Sequence, residues 1–340
     1  MKLGLAIPQD FLTPDNFRFA KQAGCTQVFV GFGKITVETY PPEVPGGLER
    51  RVAYSQPNEE PWTYEGMCKM RDMINDAGLE WEAIQSFDVK HWYDVLLDGP
   101  RKAEQMDKLK AIICDMGRVG IPTMGYNFSL AAVWGRQGLP AARGGAAGPG
   151  FHEPIEPPIP EGMIQDRVYD TDLYDPENPK GAVGQISHEE LWRRLGEFLE
   201  EMLPVCEDAG VKMALHPDDP PKATLRGTPR LIYGPDHYQQ MLDLNASKNN
   251  TMLFCVGTLA EMAEGDIYEI VDRYSKTGQI SYIHMRNIRG RMPNYDEVFI
   301  DEGDVDMIRV LRILKENGFE GTITPDHTPQ MSCGGWHAGK

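Results

Sequence analysis

Charge and hydropathy limit the classes of protein to which this 340-residue chain can belong. The formal net charge of −17 argues against DNA or RNA as a partner, because phosphate contacts need a basic surface. Hydrophobic residues make up 41% of the chain. Because there is no apolar run of about 18 residues, we expect a globular protein without a membrane-spanning helix or a membrane partner.

The N-terminus and the cysteines favour a reducing compartment. Met1 leads directly into a short apolar run without the basic segment or cleavage site of a signal peptide, so we expect a cytoplasmic protein. The six cysteines are widely spaced and form no Cys-x-x-Cys pair. This spacing argues against a disulfide framework and against a zinc ribbon.

Short β-rich runs alternate with longer amphipathic segments along the chain. Eight runs are predicted strands, at residues 2–7, 27–30, 80–84, 123–126, 212–215, 252–255, 280–284 and 322–325. The predicted helices between them are residues 13–23, 63–77, 101–119, 188–209, 235–244, 266–274 and 305–317. The first helix has clear limits, because Thr13 precedes Pro14 at its start and Gly24 follows its last apolar residue.

Eight strand–helix repeats favour an α/β fold, a closed (β/α)8 TIM barrel formed as a single domain by residues 1–340. A doubly wound open sheet is the structural alternative. Long insertions at about 33–62 and 128–187 each follow a strand, which places them on the face where barrel enzymes keep their active sites. The Gly-rich tail after the last strand cannot supply an eighth helix, so that helix is either truncated or missing. In the second case, we expect a partner subunit of a homo-oligomer to cover the gap.

Metal-capable side chains stand at the C-terminal ends of the last four predicted strands. They are His216, Cys255, His284 and Asp326, and strands of one barrel bring such residues together at its mouth. Two imidazoles, a thiolate and a carboxylate can hold one divalent cation and leave a position for substrate. Ligand softness alone favours zinc, with iron(II) and manganese(II) as alternatives. A lone buried cysteine is usually only a small apolar residue, so the prediction depends on the four residues together.

Polar residues beside these strand ends are candidates for substrate binding: Asn127, Asp218, Asp219, Arg286 and Asn287. Arg286 can clamp a carboxylate with two hydrogen bonds, although a loop arginine is more often part of a surface ion pair. Asp218 and Asp219 fit a solvated turn equally well. His327 directly follows Asp326, and an imidazole at that place is a candidate general acid or base.

The same stretches resemble the mannonate dehydratase family, which belongs to the xylose-isomerase-like barrels. The matching stretches run in order over nearly the whole chain: Tyr126-Asn127-Phe128, His216-Pro217-Asp218-Asp219-Pro220-Pro221, Phe254-Cys255, His284-Met285-Arg286-Asn287 and Pro325-Asp326-His327. The resemblance implies dehydration of D-mannonate to 2-keto-3-deoxy-D-gluconate in hexuronate breakdown. It further implies Mn²⁺ or Fe²⁺ as cofactor, bound by His216, Cys255, His284 and Asp326, with His327 as a catalytic proton carrier.

The chain departs from this family pattern in its tail. The family places a catalytic tyrosine downstream of the histidine that corresponds to His327, and residues 328–340 contain no tyrosine. His337 is the candidate that replaces it as second proton carrier.

Two other functions fit the same residues. A metal-dependent sugar isomerase or epimerase would use the same barrel and cation through a related enediol. A catalytically silent sugar-acid binder would explain the absence of the tyrosine.

Overall fold

Eight parallel strands close into a barrel in the computed structural model, which describes residues 1–32, 59–175 and 177–332 and the backbone of 35–39 and 51–55. The barrel strands are β1 (Lys2–Pro8), β2 (Gln27–Gly31), β3 (Glu80–Ile84), β4 (Thr123–Tyr126), β5 (Lys212–Leu215), β6 (Asn250–Cys255), β7 (Ile280–His284) and β8 (Thr322–Thr324). Each pairs with its neighbour in the sequence, and β8 pairs with β1 to close the ring. The predicted (β/α)8 fold is therefore confirmed, with strand limits close to the predicted ones.

Helices surround the barrel. They are α1 (Pro14–Gln22), α2 (Tyr64–Asp76), α3 (Tyr93–Leu97), α4 (Lys102–Val119), α5 (His188–Ala209), α6 (His237–Asp243), α7 (Val256–Glu261), α8 (Ile267–Ser275) and α9 (Met307–Glu316). The sequence did not predict the short helices α3 and α7. Helix α7 lacks the usual capping residue, since Cys255 takes that place and its sulfur accepts a hydrogen bond from the Thr258 backbone N–H.

The predicted limits of the first helix are confirmed by its hydrogen bonds. Thr13 Oγ1 accepts a hydrogen bond of 3.3 Å from the backbone N–H of Asn16 at the N-terminus of α1. Gly24 follows the helix with φ +91°, a conformation that glycine adopts without strain.

Large and small side chains fill the inside of the barrel. Phe29 and Tyr282 pack with ring centroids 4.5 Å apart, and the small residues Ala83 and Ala214 complete this inner layer with Leu253. Alternation of large and small residues fills a barrel interior without voids. The layer forms a rigid floor beneath the C-terminal ends of the strands.

An antiparallel sheet is built from the second insertion and the loop after β7. Its strands, in spatial order, are Asn287–Arg291, Asn294–Val298, Ala146–His152 and Gln137–Ala142. The first two form a hairpin directly after β7, and the other two come from the predicted insertion after β4. The sheet therefore joins two loops of the catalytic face, and we call it the mouth sheet.

The first insertion contributes two strands, Ile35–Thr39 and Arg51–Ser55, which pair with each other. They share a sheet with the short strands Met163–Ile164 and Arg167–Val168 of the second insertion. The rest of the first insertion up to residue 58 lies outside the described residues.

The expected lack of an eighth helix concerns the end of the chain, which is described only up to residue 332. Residues 325–332 form no helix, and residues 333–340 lie outside the described part. Leu3 on β1 is 44% exposed, whereas β6 and β7 are buried along their whole length. In the described part of the chain, no helix combines the length and the apolar character needed to cross a lipid bilayer.

Candidate active site

Three predicted ligands meet at the barrel mouth. One ligand atom from each of His216, Cys255 and His284 lies within 4.8 Å of the other two. Cys255 and His284 end their strands and are direct register partners across β6 and β7, while His216 follows the last residue of β5. The carboxyl ends of neighbouring parallel strands thus bring these side chains together, as the sequence pattern indicated.

Asp326 lies at the edge of this group, not within it. Its Oδ2 atom is 3.4 Å from Nδ1 of His284. Two ligand atoms, each about 2.1 Å from one tetrahedral ion, are about 3.4 Å apart, so this separation fits joint coordination. The backbone of Asp326 has φ +67°, which is unusual for a residue other than glycine and typical of functional positions.

The donor atoms of the group fit a cation. Neither ring nitrogen of the buried His284 makes a well-aligned hydrogen bond, although Nδ1 lies 3.4 Å from Asp326 Oδ2. His216 Nδ1 lies 2.6 Å from the carbonyl oxygen of Pro217, a contact that leaves Nε2 as the free donor atom. Orphaned imidazole nitrogens beside a buried sulfur are costly without a ligand, which is the physical argument for a bound metal here.

Electrostatics favour the thiolate form of Cys255. Burial by itself raises the pKa of this thiol, but Arg286, His216 and His284 together hold the pKa well below its usual range. For His284, burial lowers the pKa, and the carboxylate of Asp326 and the sulfur of Cys255 outweigh this effect and raise it to about 9. The Thr258 hydroxyl also donates a hydrogen bond of 3.2 Å to Cys255 Sγ.

A second buried group lies beside the first and consists of Asp219, Glu261 and Glu297, with ligand oxygens within 4.8 Å of one another. Two arginines neutralise these carboxylates. Arg286 places Nη2 2.5 Å from Asp219, and Nη1 2.5 Å from Glu261 and 2.8 Å from Glu297. Arg136 Nη2 lies 2.5 Å from Asp219 and 3.2 Å from Glu297. We call these five residues the carboxylate–arginine cluster and interpret it as an ion-pair network, because guanidinium groups occupy the space between the oxygens.

The carboxylates of this cluster differ in pKa. Burial raises the pKa of Glu261 well above its usual range although Arg286 opposes it. Burial also raises the pKa of Asp219, but Arg136 and Arg286 reverse this effect and leave it below the usual value. Tyr295 supports the ionised form of Asp219 with a hydrogen bond of 3.1 Å from its hydroxyl to Oδ1.

His327 joins the two groups. Its Nδ1 atom lies 2.7 Å from Glu297 Oε2, and its Nε2 atom lies 3.4 Å from Asp326 Oδ2. Nε2 also accepts a hydrogen bond of 3.2 Å from Arg136 Nη1. The ring is thus next to the candidate metal site, where a proton carrier would have to be.

The predicted substrate-binding residues separate into two sets. Asn127 stands at the end of β4, and its buried side-chain oxygen has no hydrogen-bond partner, which leaves it available to a ligand. Asp219 belongs to the carboxylate–arginine cluster. Arg286 is only 2% exposed and pairs with the carboxylates of that cluster, so it is not a surface residue, and its contact with substrate stays a prediction.

Asp218 and Asn287 bond to backbone and side-chain groups of neighbouring loops, and their predicted role in substrate binding stays a prediction. Asp218 Oδ2 accepts hydrogen bonds from the backbone N–H groups of Leu231 and Ile232, and Oδ1 lies 2.9 Å from Nε of Arg230. Asn287 bonds four backbone groups: its amide donates to the carbonyls of Ile300 and Val305, and its oxygen accepts from the N–H groups of Ile288 and Val305. These contacts use the hydrogen-bonding capacity of the Asn287 side chain.

Sequence reasoning missed Arg136 and Glu297. Arg136 comes from the second insertion, directly before the mouth-sheet strand Gln137–Ala142, and no motif surrounds it. Glu297 lies in the strand Asn294–Val298 and is followed by Val298 and Phe299. The one available sequence signal was this carboxylate of Glu297 beside apolar residues, which indicates a buried charge. The other predicted proton carrier, His337, lies outside the described residues.

Comparison with known proteins shows the family of this chain. The model of the D-mannonate dehydratase family (UxuA) matches residues 47–335, which is most of the chain. The chain belongs to the D-mannonate dehydratase family. The resemblance found in the sequence is thereby confirmed, and with it membership in a family of hydro-lyases.

Relatives in the D-mannonate dehydratase family match over most of their length. The mannonate dehydratase of Streptococcus pneumoniae (strain 70585) is 29% identical over 300 residues, covering 81% of this chain and 77% of that protein. The Streptococcus uberis protein of the same name is 31% identical over 283 residues, covering 81% and 80%.

Solved structures include a mannonate dehydratase and a more distant barrel enzyme with similar folds. The crystal structure of mannonate dehydratase from Streptococcus suis serotype 2 matches with a TM-score of 0.75 and 25% identity, covering 97% of this chain and 85% of that one. A D-psicose 3-epimerase from Clostridium cellulolyticum H10, crystallised with D-tagatose, matches with a TM-score of 0.57 at 10% identity, covering 98% and 86%. The second likeness shows the shared barrel fold alone.

Proposed function

We propose that this protein removes water from D-mannonate to give 2-keto-3-deoxy-D-gluconate, with one Mn²⁺ or Fe²⁺ per chain. The observation that carries the proposal is the convergence of His216, Cys255 and His284 within 4.8 Å at the mouth of a barrel of this family. Asp326 is the proposed fourth ligand. The donor set admits manganese, iron and zinc. The family resemblance favours manganese or iron over zinc.

The proposed ligands leave room for substrate oxygens. When bound, the divalent cation supplies a Lewis acid for the carboxylate and the neighbouring hydroxyl of the sugar acid. The hydrogen bond at Nδ1 of His216 fixes its ring, and the lowered pKa of Cys255 keeps the sulfur anionic. Both features prepare the ligands before the cation arrives.

The residues beside the ligands supply the proton chemistry and the positive charge. Dehydration requires loss of the C2 proton and protonation of the departing C3 hydroxyl. His327 is the proposed proton carrier, because its ring lies directly beside the proposed ligand Asp326, with Nε2 3.4 Å from Asp326 Oδ2. The side chain of Arg136 is 24% exposed, so it is the arginine of the cluster that can meet an anionic substrate. Asn127 is the proposed contact for a substrate hydroxyl.

The test is turnover by purified protein that has been stripped of metal and reloaded with Mn²⁺, Fe²⁺ or Zn²⁺. We expect a 2-keto acid from D-mannonate with manganese or iron, and none with the metal-free protein. D-Gluconate, which differs only at C2, is the matched control substrate and should react poorly. Absence of product with every metal would refute the proposal. Exchange of the C2 proton in D₂O without water loss would indicate an epimerase, and calorimetric binding without turnover would indicate a silent binder.

We also propose that the chain forms a homo-oligomer that buries exposed apolar side chains. Phe19 on α1 and Ile308 on α9 are more than half exposed, at 58% and 57%, and Leu3 on β1 is 44% exposed. Association would remove this apolar surface from water. Sedimentation equilibrium should give a mass larger than one chain, and a Phe19→Glu variant should lower it. The cytoplasmic location stays a prediction from the sequence.

A further inference from the structure

The mouth sheet places the carboxylate of Glu297 next to His327, the proposed proton carrier. In the strand Asn294–Val298, alternate residues face opposite sides. Tyr295 and Glu297 are 1% and 2% exposed and point into the carboxylate–arginine cluster, whereas the side chain of Asp296 is 22% exposed and pairs with His152. Glu297 Oε2 then lies 2.7 Å from Nδ1 of His327.

The contacts of His327 identify which of its nitrogens carries the proton. Nε2 of His327 lies 3.2 Å from Arg136 Nη1, which can only donate, and 3.4 Å from Asp326 Oδ2, which can only accept, and the shorter contact favours an acceptor at Nε2. In a neutral imidazole, the proton is then on Nδ1, where it faces a carboxylate that can only accept. Burial raises the pKa of Glu297, but Arg286 and His327 outweigh it and lower the pKa below its usual value, so this carboxylate is ionised.

We propose that Glu297 is a positioning residue that holds His327 with its proton on Nδ1 and its Nε2 atom directed at the substrate. Carboxylate–imidazole pairs of this kind fix both the tautomer and the rotation of a catalytic histidine. Glu297 acts through His327 and does not itself touch the substrate. The inference depends on the proposed function for its kinetic part, and its structural part can be tested without turnover.

The kinetic test compares Glu297→Gln with Asp296→Asn, a matched control in the same strand that breaks a carboxylate–imidazole pair away from the site. We expect Glu297→Gln to lower kcat by about 10- to 100-fold with little change in KM and in bound metal, and Asp296→Asn to retain wild-type kcat. Glu297→Asp, which keeps the charge, should recover part of the lost kcat. An unchanged kcat in Glu297→Gln would overturn the proposal.

A double-mutant cycle separates positioning from a general structural effect. In a His327→Gln background, the further change Glu297→Gln should have no additional effect on the residual rate, because the group that it positions is gone. If the two losses multiplied, Glu297 would act independently of His327 and the proposal would be wrong. Melting temperatures of all variants identify any loss of fold.

A spectroscopic measurement tests the tautomer directly. Nitrogen-15 histidine spectra of the zinc-loaded protein, which is diamagnetic, should show His327 protonated at Nδ1, with its signals assigned by their loss in His327→Gln. Glu297→Gln should shift the tautomer toward Nε2 protonation. Nε2 protonation already in the wild type would refute the inference. A wild-type protein without turnover would defeat the proposed function, yet these spectra would still decide the role of Glu297.

Discussion

Replacing Arg286 by methionine is expected to destabilise the protein strongly. Arg286 is 2% exposed and contacts three buried carboxylates, those of Asp219, Glu261 and Glu297. Methionine keeps much of the volume but removes the charge, so Asp219 and Glu297 would retain Arg136 as their arginine partner and lose the charge of Arg286. Loss of one partner from a buried ion pair costs about 3–5 kcal/mol, because the remaining charge stays buried without compensation.

This cost corresponds to a measurable change in melting temperature. With an unfolding entropy of about 2.1 cal/mol/K per residue over 340 residues, Tm should fall by about 4–7 °C. The melt is followed by circular dichroism at neutral pH in the presence of a chelator, so that metal affinity does not contribute to Tm.

Two control variants define what would refute this reasoning. Arg289→Met removes an exposed arginine whose guanidinium lies 3.5 Å from Glu302, and should change stability by less than about 1 kcal/mol. Glu261→Gln should also be mild, because burial raises the pKa of Glu261 and so favours the neutral acid that glutamine resembles. If Arg286→Met melts like the wild type, the cluster does not depend on this charge. If Glu261→Gln destabilises as much as Arg286→Met, Glu261 is ionised and the charge assignment is wrong.

Three further predictions concern Cys255 and Asn287. Elemental analysis should find much less bound Mn²⁺ or Fe²⁺ in Cys255→Ser than in the wild type, whereas the control variant Cys114→Ser should bind as much as the wild type. If Cys255→Ser binds as much metal as the wild type, the sulfur is not a ligand. In metal-free protein, the lowered pKa of Cys255 should keep its sulfur as a thiolate at pH 7, and acidification should protonate it. The difference spectrum between the wild type and Cys255→Ser should therefore show thiolate absorbance at ~240 nm at neutral pH. A difference that appears only near pH 9 would contradict the lowered pKa. Asn287→Ala should lower the free energy of unfolding in urea by about 2–4 kcal/mol, because it leaves backbone groups unpaired. If these contacts are the whole role of Asn287, KM for D-mannonate stays unchanged, whereas a raised KM would indicate that Asn287 also binds substrate.

The architecture and the ligand positions could be predicted because both follow from local patterns. Each barrel strand is an apolar run between helix signals, and parallel strands of one barrel must end on the same face. A ligand at a strand end, such as His284, is therefore placed by counting residues. Helix α7 escaped prediction because a cysteine occupies its capping position.

The role of each polar side chain around the ligands was decided by tertiary structure. Asp218 and Asn287 stand beside ligands in the sequence, yet the loops that fold over them supply backbone partners for their side chains. Arg136 and Glu297 are distant from each other in the chain and meet His327 only because the mouth sheet joins an insertion after β4 to a hairpin after β7. The position of a strand end follows from the residue pattern of that strand alone. The hydrogen-bond partner of a side chain depends on which loops pack together, and that is a property of the whole fold.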